Sequence, residues 1–174
     1  MSAANEGSAK RIALSGILAA CSLLTLFLAT ILPTNRIFFY GLSSVFCAII
    51  IIEHDIKGGI LFYIATSLLA LILIPNKLRL IPYIMILGHY PIWKTYIERV
   101  NHLGKEIFLK LLVLNLTTGA AYYGFTTLFL ISVALPIDLR LVFLILQPIF
   151  IIYDYVFTLF ISFYLNKIKP LIQQ

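Results

Sequence analysis

The sequence predicts an all-α integral membrane protein, a six-transmembrane-helix bundle with both termini in the cytoplasm. Of the 174 residues, 61% are hydrophobic and 11% are charged, and the mean hydropathy is +1.03. The apolar residues are gathered into long stretches that are joined by short polar loops. A chain of this composition is not expected to remain in water. Because a bilayer offers the backbone no hydrogen-bond partners, the spanning elements are expected to be helices.

We predict a single transmembrane helical domain over residues 12–169, preceded by a disordered arm over residues 1–11. The predicted spans end where proline, glycine or charged residues interrupt the apolar runs. The fourth span is short and interrupted, because it contains Pro82, Gly88 and Pro91. The six spans cover about residues 12–32, 37–52, 58–74, 78–93, 107–133 and 139–165.

The basic residues set the predicted orientation. Six spans leave both termini on one side, which then carries nine of the 13 Lys and Arg residues, against four on the other side. Since the side with excess positive charge is cytoplasmic, both termini are predicted to lie in the cytoplasm. The expected location of the chain is a bacterial or archaeal cytoplasmic membrane. The largest inner element, residues 94–105, has apolar positions at helical spacing. We predict that it is an amphipathic helix on the inner surface, ended by Gly104.

The composition also excludes some partners and some roles. The net charge of +6 does not indicate a nucleic-acid-binding protein, because the basic residues are scattered over the loops. In a membrane protein they are expected to set the topology and to contact lipid headgroups. Cys21 and Cys47 lie inside apolar runs, where small packing residues are expected rather than a disulfide.

The inner boundary carries the residue types of a metal or catalytic site without the usual spacing. Histidine and carboxylate side chains suit zinc, but no His-Glu-x-x-His motif is present. Phosphate-binding glycine loops and Ser-His-Asp patterns are absent from the sequence as well. We therefore predict no metal, no cofactor and no enzymatic activity. The alternative is a membrane enzyme that acts on a lipid or prenyl substrate at the inner face, through His54, Asp55, Glu98 and His102.

Four polar side chains lie within the predicted spans, and each is costly in hydrocarbon unless it faces the bundle interior or a cavity. Asp154 lies between Tyr153 and Tyr155, whose hydroxyl groups are in reach, and His89 is its expected partner. Two interpretations stand side by side: a polar clamp that only fixes the bundle, or a functional site. The four side chains are those of His89, Asn115, Gln147 and Asp154.

The outer half of the bundle is rich in aromatic and hydroxyl side chains. Such residues are expected to line a pocket for a small, mostly flat or apolar molecule. Cations at the outer mouth (Arg36, Lys77, Arg79 and Arg140) are expected to attract an anion. The alternative is that the tyrosines form an interfacial belt and the cations lie among headgroups. The predicted substrate-binding residues are Tyr40, His89, Asn115, Tyr122, Tyr123, Gln147 and Asp154.

The first span carries a stripe of small residues, which lets another helix approach closely in lipid. That helix is either a sibling in the same bundle or part of an external partner. The stripe consists of Ala13, Ser15, Gly16, Ala19 and Ala20.

The chain resembles the substrate-binding S component of energy-coupling factor (ECF) vitamin transporters. The resemblance rests on the length of the chain, the six predicted spans, the basic N-terminus, the small-residue stripe of the first span and the predicted pocket in the outer half. In that family the stripe docks on a membrane-embedded coupling subunit, and two ATPases drive toppling of the S component. The resemblance implies that the chain captures a small vitamin-like molecule for uptake and catalyses nothing itself. Its partners would be a transmembrane coupling subunit and ATPase subunits. A further alternative is a non-catalytic assembly subunit of a membrane complex.

Overall fold

The computed structural model describes residues 3–128 and 138–172, and over these residues it is all-helical. The prediction of an all-α protein is confirmed. Five helices in this part of the chain are long and apolar enough to cross a membrane, which indicates a multi-pass membrane protein. They are Arg11–Ile31, Arg36–Glu53, Ile56–Leu73, Leu103–Gly124 and Leu141–Ile168. The chain divides into two compact units, Met1–Thr95 and Tyr96–Gln174.

The first unit contains three long helices, α1 (Ala3–Ile31), α2 (Arg36–Glu53) and α3 (Ile56–Leu73). Residues 3–11 continue α1, whereas the sequence led us to expect a disordered arm there. Ala, Glu, Lys and Arg are good helix formers, and a helix that is already nucleated extends at little cost. Asp55 separates α2 from α3, and its Oδ1 accepts a hydrogen bond of 2.6 Å from the backbone N–H of Gly58.

Two apolar clusters hold these three helices together. α2 and α3 approach each other closely at Gly59, where an added Cβ would lie 2.2 Å from Cγ1 of Ile51. Only glycine permits this approach, because any side chain would displace Ile51. One cluster contains Leu18, Cys47, Ile50 and Phe62, and the other contains Leu26, Ala29, Tyr40, Ala70, Ile74, Leu80 and Tyr83.

The segment after α3 is broken into short pieces, and the predicted fourth span over residues 78–93 is not a single helix. A 3₁₀ turn (Lys77–Leu80) and a π-helical turn (Tyr83–Leu87) precede α4 (Tyr90–Ile97). Pro82 cannot donate a backbone hydrogen bond, so it interrupts any regular ladder across it. At Gly88 an added Cβ would lie 2.8 Å from the Tyr63 ring and 2.9 Å from the carbonyl oxygen of Tyr83. The chain therefore needs glycine at this close approach.

The predicted amphipathic helix over residues 94–105 is also wrong as one element. After α4 the chain forms a 3₁₀ turn (Glu98–Val100), and Asn101 then adopts the left-handed conformation with φ of 52°. Asparagine tolerates this conformation better than most residues and commonly ends helices. The break therefore falls at Asn101, and Gly104 lies in the first turn of the next helix instead of ending the linker.

The second unit is built on two long helices, α5 (Leu103–Leu128) and α6 (Leu139–Phe163). A π-helical turn (Tyr164–Ile168) and a single turn, α7 (Lys169–Ile172), follow α6. Pro148 lies inside α6. The end of the predicted fifth span, which we expected to reach residue 133, lies outside the described residues.

Candidate functional site

A buried lysine is bound by two carboxylates in the second unit. Lys110, two turns into α5, donates from Nζ to Oδ2 of Asp154 on α6 at 2.8 Å and to Oε1 of Glu98 at 3.0 Å. The Lys110 side chain is 9% exposed, the Asp154 side chain 19% and the Glu98 side chain 39%. A lysine this far from water is tolerable only when it is paired and hydrogen-bonded. Lys110 thus binds one carboxylate on α6 and one in the turn that precedes α5.

The local chain path explains why Glu98 reaches Lys110. The left-handed turn at Asn101 separates the 3₁₀ turn that carries Glu98 from α5. This break redirects the chain, so that Glu98 folds back along the first turns of α5 and binds a residue twelve positions later. A continuous helix through residues 94–105 would have carried Glu98 away from Lys110. The irregular linker thus positions one of the two acids.

Two amide side chains connect α5 and α6 further along the same pair of helices. Nε2 of Gln147 donates to Oδ1 of Asn115 at 2.8 Å, and Nδ2 of Asn115 lies 3.5 Å from Oε1 of Gln147. Each amide also binds its own helix, Asn115 through the carbonyl of Leu111 and Gln147 through the carbonyl of Phe143. The amides therefore present both donors and acceptors between two apolar helices.

A third position extends this polar row. Thr118 lies one turn beyond Asn115 on α5, and its hydroxyl oxygen is buried without a hydrogen-bond partner among the described residues. Lys110 pairs with Asp154, and Asn115, five residues later on α5, pairs with Gln147, seven residues earlier on α6. This register is that of antiparallel helices. We call the row the α5–α6 seam; it consists of Lys110, Asn115, Thr118, Gln147 and Asp154.

The tyrosines predicted near the seam lie elsewhere in the second unit. Tyr122 and Tyr123, predicted to bind substrate, are both exposed. The ring of Tyr153 packs between Phe150 and Phe157, and Tyr155 is exposed. Successive residues of a helix point about 100° apart, so the two neighbours of Asp154 cannot share its direction. The structure gives Asp154 a charged partner, Lys110, which the sequence analysis did not predict.

The other two predicted substrate-binding residues belong to the first unit. Tyr40 is buried, and its hydroxyl donates to the backbone carbonyl of Arg79. Nε2 of His89 lies 2.7 Å from the carbonyl oxygen of Met85, and its ring meets the Tyr63 ring edge-on at 6.0 Å between centroids. Of the seven predicted residues, the structure joins Asn115 with Gln147 and places Asp154 further along the same helix pair.

Hydroxyl groups of α2 and α3 bind the broken segment that follows α3. Ser44 donates to the carbonyl of Leu87, and Tyr63 donates to the carbonyl of Ile84 at 2.6 Å. Together with the bond from Tyr40 to Arg79, these contacts satisfy carbonyl groups that a regular helix would have paired internally. Buried backbone groups outside a regular helix require such partners.

The small-residue stripe of α1 is divided between two directions. Ser15 and Ala19 point inward: Ser15 Oγ lies 3.3 Å from Nε2 of His54, and Ala19 packs against an apolar cluster. Ala13, Gly16 and Ala20 are exposed, and a Cβ added at Gly16 would meet no atom within 4 Å. Only this second set is available to an external helix.

The inner-boundary residues enter separate contacts. His54 approaches Ser15, Asp55 caps α3, and Glu98 binds Lys110, while His102 is exposed. Among the described residues, no three His, Cys, Asp or Glu side chains are grouped so as to hold a metal ion.

Two members of the seam are not among the residues predicted from sequence. Lys110 is predicted to lie with the cations of the inner surface, although it stands inside the apolar run of the fifth span. Thr118 follows Asn115 by three positions and therefore shares its helix face. An isolated lysine in an apolar run was the signal that could have identified the seam. Comparisons of the chain with protein-family models, with curated proteins and with solved structures found no match.

Proposed function

We propose that the chain is the substrate-binding membrane subunit of a transporter and captures a small molecule for uptake. The α5–α6 seam is the observation that carries this proposal. Ionisable side chains within membrane-spanning helices are rare and costly, and they commonly mark substrate or ion pathways. Here an ion pair, an amide pair and a buried hydroxyl follow one another along a single pair of apolar helices.

The chemistry of the seam suits a ligand with a few polar groups on an otherwise apolar body. Binding sites for small molecules are mainly apolar, with a small number of placed donors and acceptors that fix the orientation of the ligand. The hydroxyl of Thr118 has no partner among the described residues, and the adjacent amides of Asn115 and Gln147 exchange hydrogen bonds with each other. A ligand that binds Thr118 would bring its polar atoms beside these amides.

We assign the finer architecture by the same proposal. The chain would cross a bacterial or archaeal cytoplasmic membrane six times, with both termini in the cytoplasm and with residues 78–93 of the broken segment as the short fourth crossing. By its resemblance to the S components of ECF vitamin transporters, it would dock on a transmembrane coupling subunit and rely on ATPase subunits for energy. The exposed small residues of α1 (Ala13, Gly16 and Ala20) are the surface we assign to that subunit.

A second candidate function is a non-catalytic assembly subunit of a membrane complex. One observation favours it: the amides of Asn115 and Gln147 already bind each other, as expected of a clamp between two helices. A clamp contributes about 0.6 kcal/mol on average in a membrane protein and needs no ligand. The two functions differ in whether the seam must hold a bound molecule.

Native mass spectrometry of the protein purified in mild detergent from its own membrane distinguishes them. The transporter proposal predicts a retained small molecule, which Gln147→Leu releases and Thr117→Val retains. Thr117 is the matched control, because its hydroxyl binds only carbonyls of its own helix. Companion chains are expected in the same spectra and should be lost in Gly16→Leu. Retention of the same molecule by Gln147→Leu, or no molecule in any sample, would contradict the proposal.

A further inference from the structure

The first unit carries a group of cations without acidic neighbours in the sequence. Arg36 begins α2, and Lys77 and Arg79 lie in the 3₁₀ turn after α3. No Asp or Glu occurs in residues 31–52 or in residues 73–95. The acids of this unit that the sequence places near α2 and α3, Glu53 and Asp55, stand at the opposite ends of these helices. The neighbouring sequence therefore offers these cations no carboxylate partner.

Tyr40 connects Arg36 with Arg79. It is buried on α2, one helical turn after Arg36, and its hydroxyl contacts the backbone of Arg79. The Tyr40 proton is used in the bond to the carbonyl of Arg79, and a guanidinium nitrogen of Arg79 donates to the carbonyl of Thr30. Nε of Arg36 is buried and has no partner among the described residues. The guanidinium groups of Arg36 and Arg79 therefore retain N–H donors that these contacts do not use.

The start of α2 adds to this positive character. Asn35 provides no side-chain hydrogen bond to the first turn, and that turn contains no acidic residue. The first N–H groups of a helix have no partner inside the helix, and the helix dipole places partial positive charge at this end. Uncapped helix N-termini bind anions for this reason.

We propose that Arg36 and Arg79, together with the first turn of α2, form a binding site for a phosphate group. A planar guanidinium group offers parallel N–H donors that match the oxygen atoms of a phosphate, and two such groups balance its charge. The phosphate belongs either to a lipid headgroup or to a free solute. The exposed apolar side chains of Ile37 and Phe38, next to Arg36 on α2, would lie beside the acyl chains in the first case.

This site does not depend on the proposed transport function, because it uses no residue of the α5–α6 seam. It gives Tyr40 a different role from the one expected from sequence. Instead of contacting a flat substrate, Tyr40 fixes the backbone of Arg79 and so positions the second guanidinium group.

The test has two arms, both on the full chain purified in a neutral detergent. In the first arm, inorganic phosphate is titrated and its binding is followed by phosphorus NMR. In the second, retention of phosphatidylglycerol against phosphatidylcholine is measured by native mass spectrometry from mixed micelles. The variants are Arg36→Gln and Arg36→Lys, and the matched control is Lys57→Gln, which removes an exposed cation at the other end of the unit.

We expect Arg36→Gln to weaken phosphate binding or phosphatidylglycerol retention by about tenfold or more, and Lys57→Gln to leave both within about twofold. Arg36→Lys should fall between them, because lysine keeps the charge and loses the planar fork. A loss in the first arm assigns the site to a free phosphate compound, and a loss in the second arm alone assigns it to a headgroup. If Arg36→Gln does not fold, the phosphate binding and phosphatidylglycerol retention of Arg36→Lys are compared with those of Lys57→Gln instead. Equal behaviour of the Arg36 variants and the control in both arms would overturn the proposal.

Discussion

Lys110 and Asp154 form an ion pair between α5 and α6, with 2.8 Å between Nζ and Oδ2, and Lys110 also binds Glu98. One lysine therefore connects two helices and the turn that precedes the first of them. Because the lysine is buried and Glu98 is partly exposed, the three groups are not equivalent. The central cation should matter more than either acid.

Replacing Lys110 by Met removes the cation that the two carboxylates share. We expect the free energy of unfolding in detergent to fall by about 2 kcal/mol, below the 3–5 kcal/mol typical of fully buried pairs, since both acids are partly exposed. Glu98→Gln should cost less than Asp154→Asn for the same reason. Unfolding can be followed by the fluorescence of Trp93, the one tryptophan of the sequence. Lys105→Met, at an exposed position, is the control, and an equal loss in both variants would refute the account of the ion pair.

The amide pair should show a measurable coupling energy. A double-mutant cycle of Asn115→Ala and Gln147→Ala is expected to give a coupling of about 0.6 kcal/mol, with about 1.7 kcal/mol as the upper bound for such bonds in membrane proteins. The unfolding measurement described for Lys110 supplies the four free energies. Strict additivity of the two single substitutions would show that Asn115 and Gln147 do not bind each other in the folded protein.

Ser22 and Ser43 form a buried hydrogen bond of 2.6 Å between α1 and α2. Ser22→Ala leaves the Ser43 hydroxyl without this partner, and we expect a loss of about 1–2 kcal/mol. The double substitution of both serines by alanine should cost less than the sum of the single ones, because no orphaned hydroxyl remains. Thermal unfolding of the four proteins in one detergent checks this, and a double variant as unstable as the sum would argue against a bond.

Two glycines provide a matched pair of substitutions. Gly59→Ala places a Cβ 2.2 Å from Ile51, and we expect it to destabilise the first unit by about 1–3 kcal/mol. Gly16→Ala meets no atom within 4 Å, so it should stabilise α1 by up to about 1 kcal/mol through its helix propensity. Both effects can be read from unfolding curves of the isolated subunit. The opposite order of stabilities would contradict the packing of α2 against α3.

Gly16 is also the position at which docking of the exposed small residues of α1 on a partner subunit can be tested. Because the position is open in the isolated chain, even Gly16→Leu should leave the helix content unchanged. A loss of companion chains in that variant then reports on docking and not on misfolding. Circular dichroism of the purified variant is the check, and a loss of helix would disqualify it as a docking test.

The apolar runs were sufficient to predict α2 and α3, which span Arg36–Glu53 and Ile56–Leu73 against the expected residues 37–52 and 58–74. Charged and glycine residues end these runs, and hydrophobic length is a strong signal in a membrane chain. The local structure of the segment around Pro82 and Gly88 is harder to predict from sequence. Proline and glycine indicate that the helix is interrupted. Whether the chain then forms a 3₁₀ turn or a π-helical turn depends on contacts with α2 and α3, which are distant in sequence.

The partners of the polar residues could not be derived from spacing alone. Asp154 and Lys110 are 44 positions apart, and only the register of α5 against α6 brings them together. The same holds for Asn115 and Gln147, which were each expected to face the interior but not to bind each other. Tyr40 was expected to line a pocket. Its bond to the backbone of Arg79 could not be foreseen, because that bond depends on the path of the broken segment. The sequence thus indicated which residues were unusual, and the fold determined which of them meet.

Thiol labelling at Thr118 tests most directly the claim that the seam is a polar site within a lipid-embedded bundle. In a background with Cys21→Ser and Cys47→Ala, the variants Thr118→Cys and Leu116→Cys are exposed to a small charged thiol reagent in membranes. Thr118 belongs to the seam, and the exposed Leu116 side chain would face hydrocarbon. The reagent attacks only a hydrated thiolate, so reaction at the buried Thr118 position requires that the seam opens to water, as a ligand-binding site must. We predict modification of Thr118→Cys and none of Leu116→Cys. Equal reaction at both positions, or reaction at Leu116→Cys alone, would contradict the account.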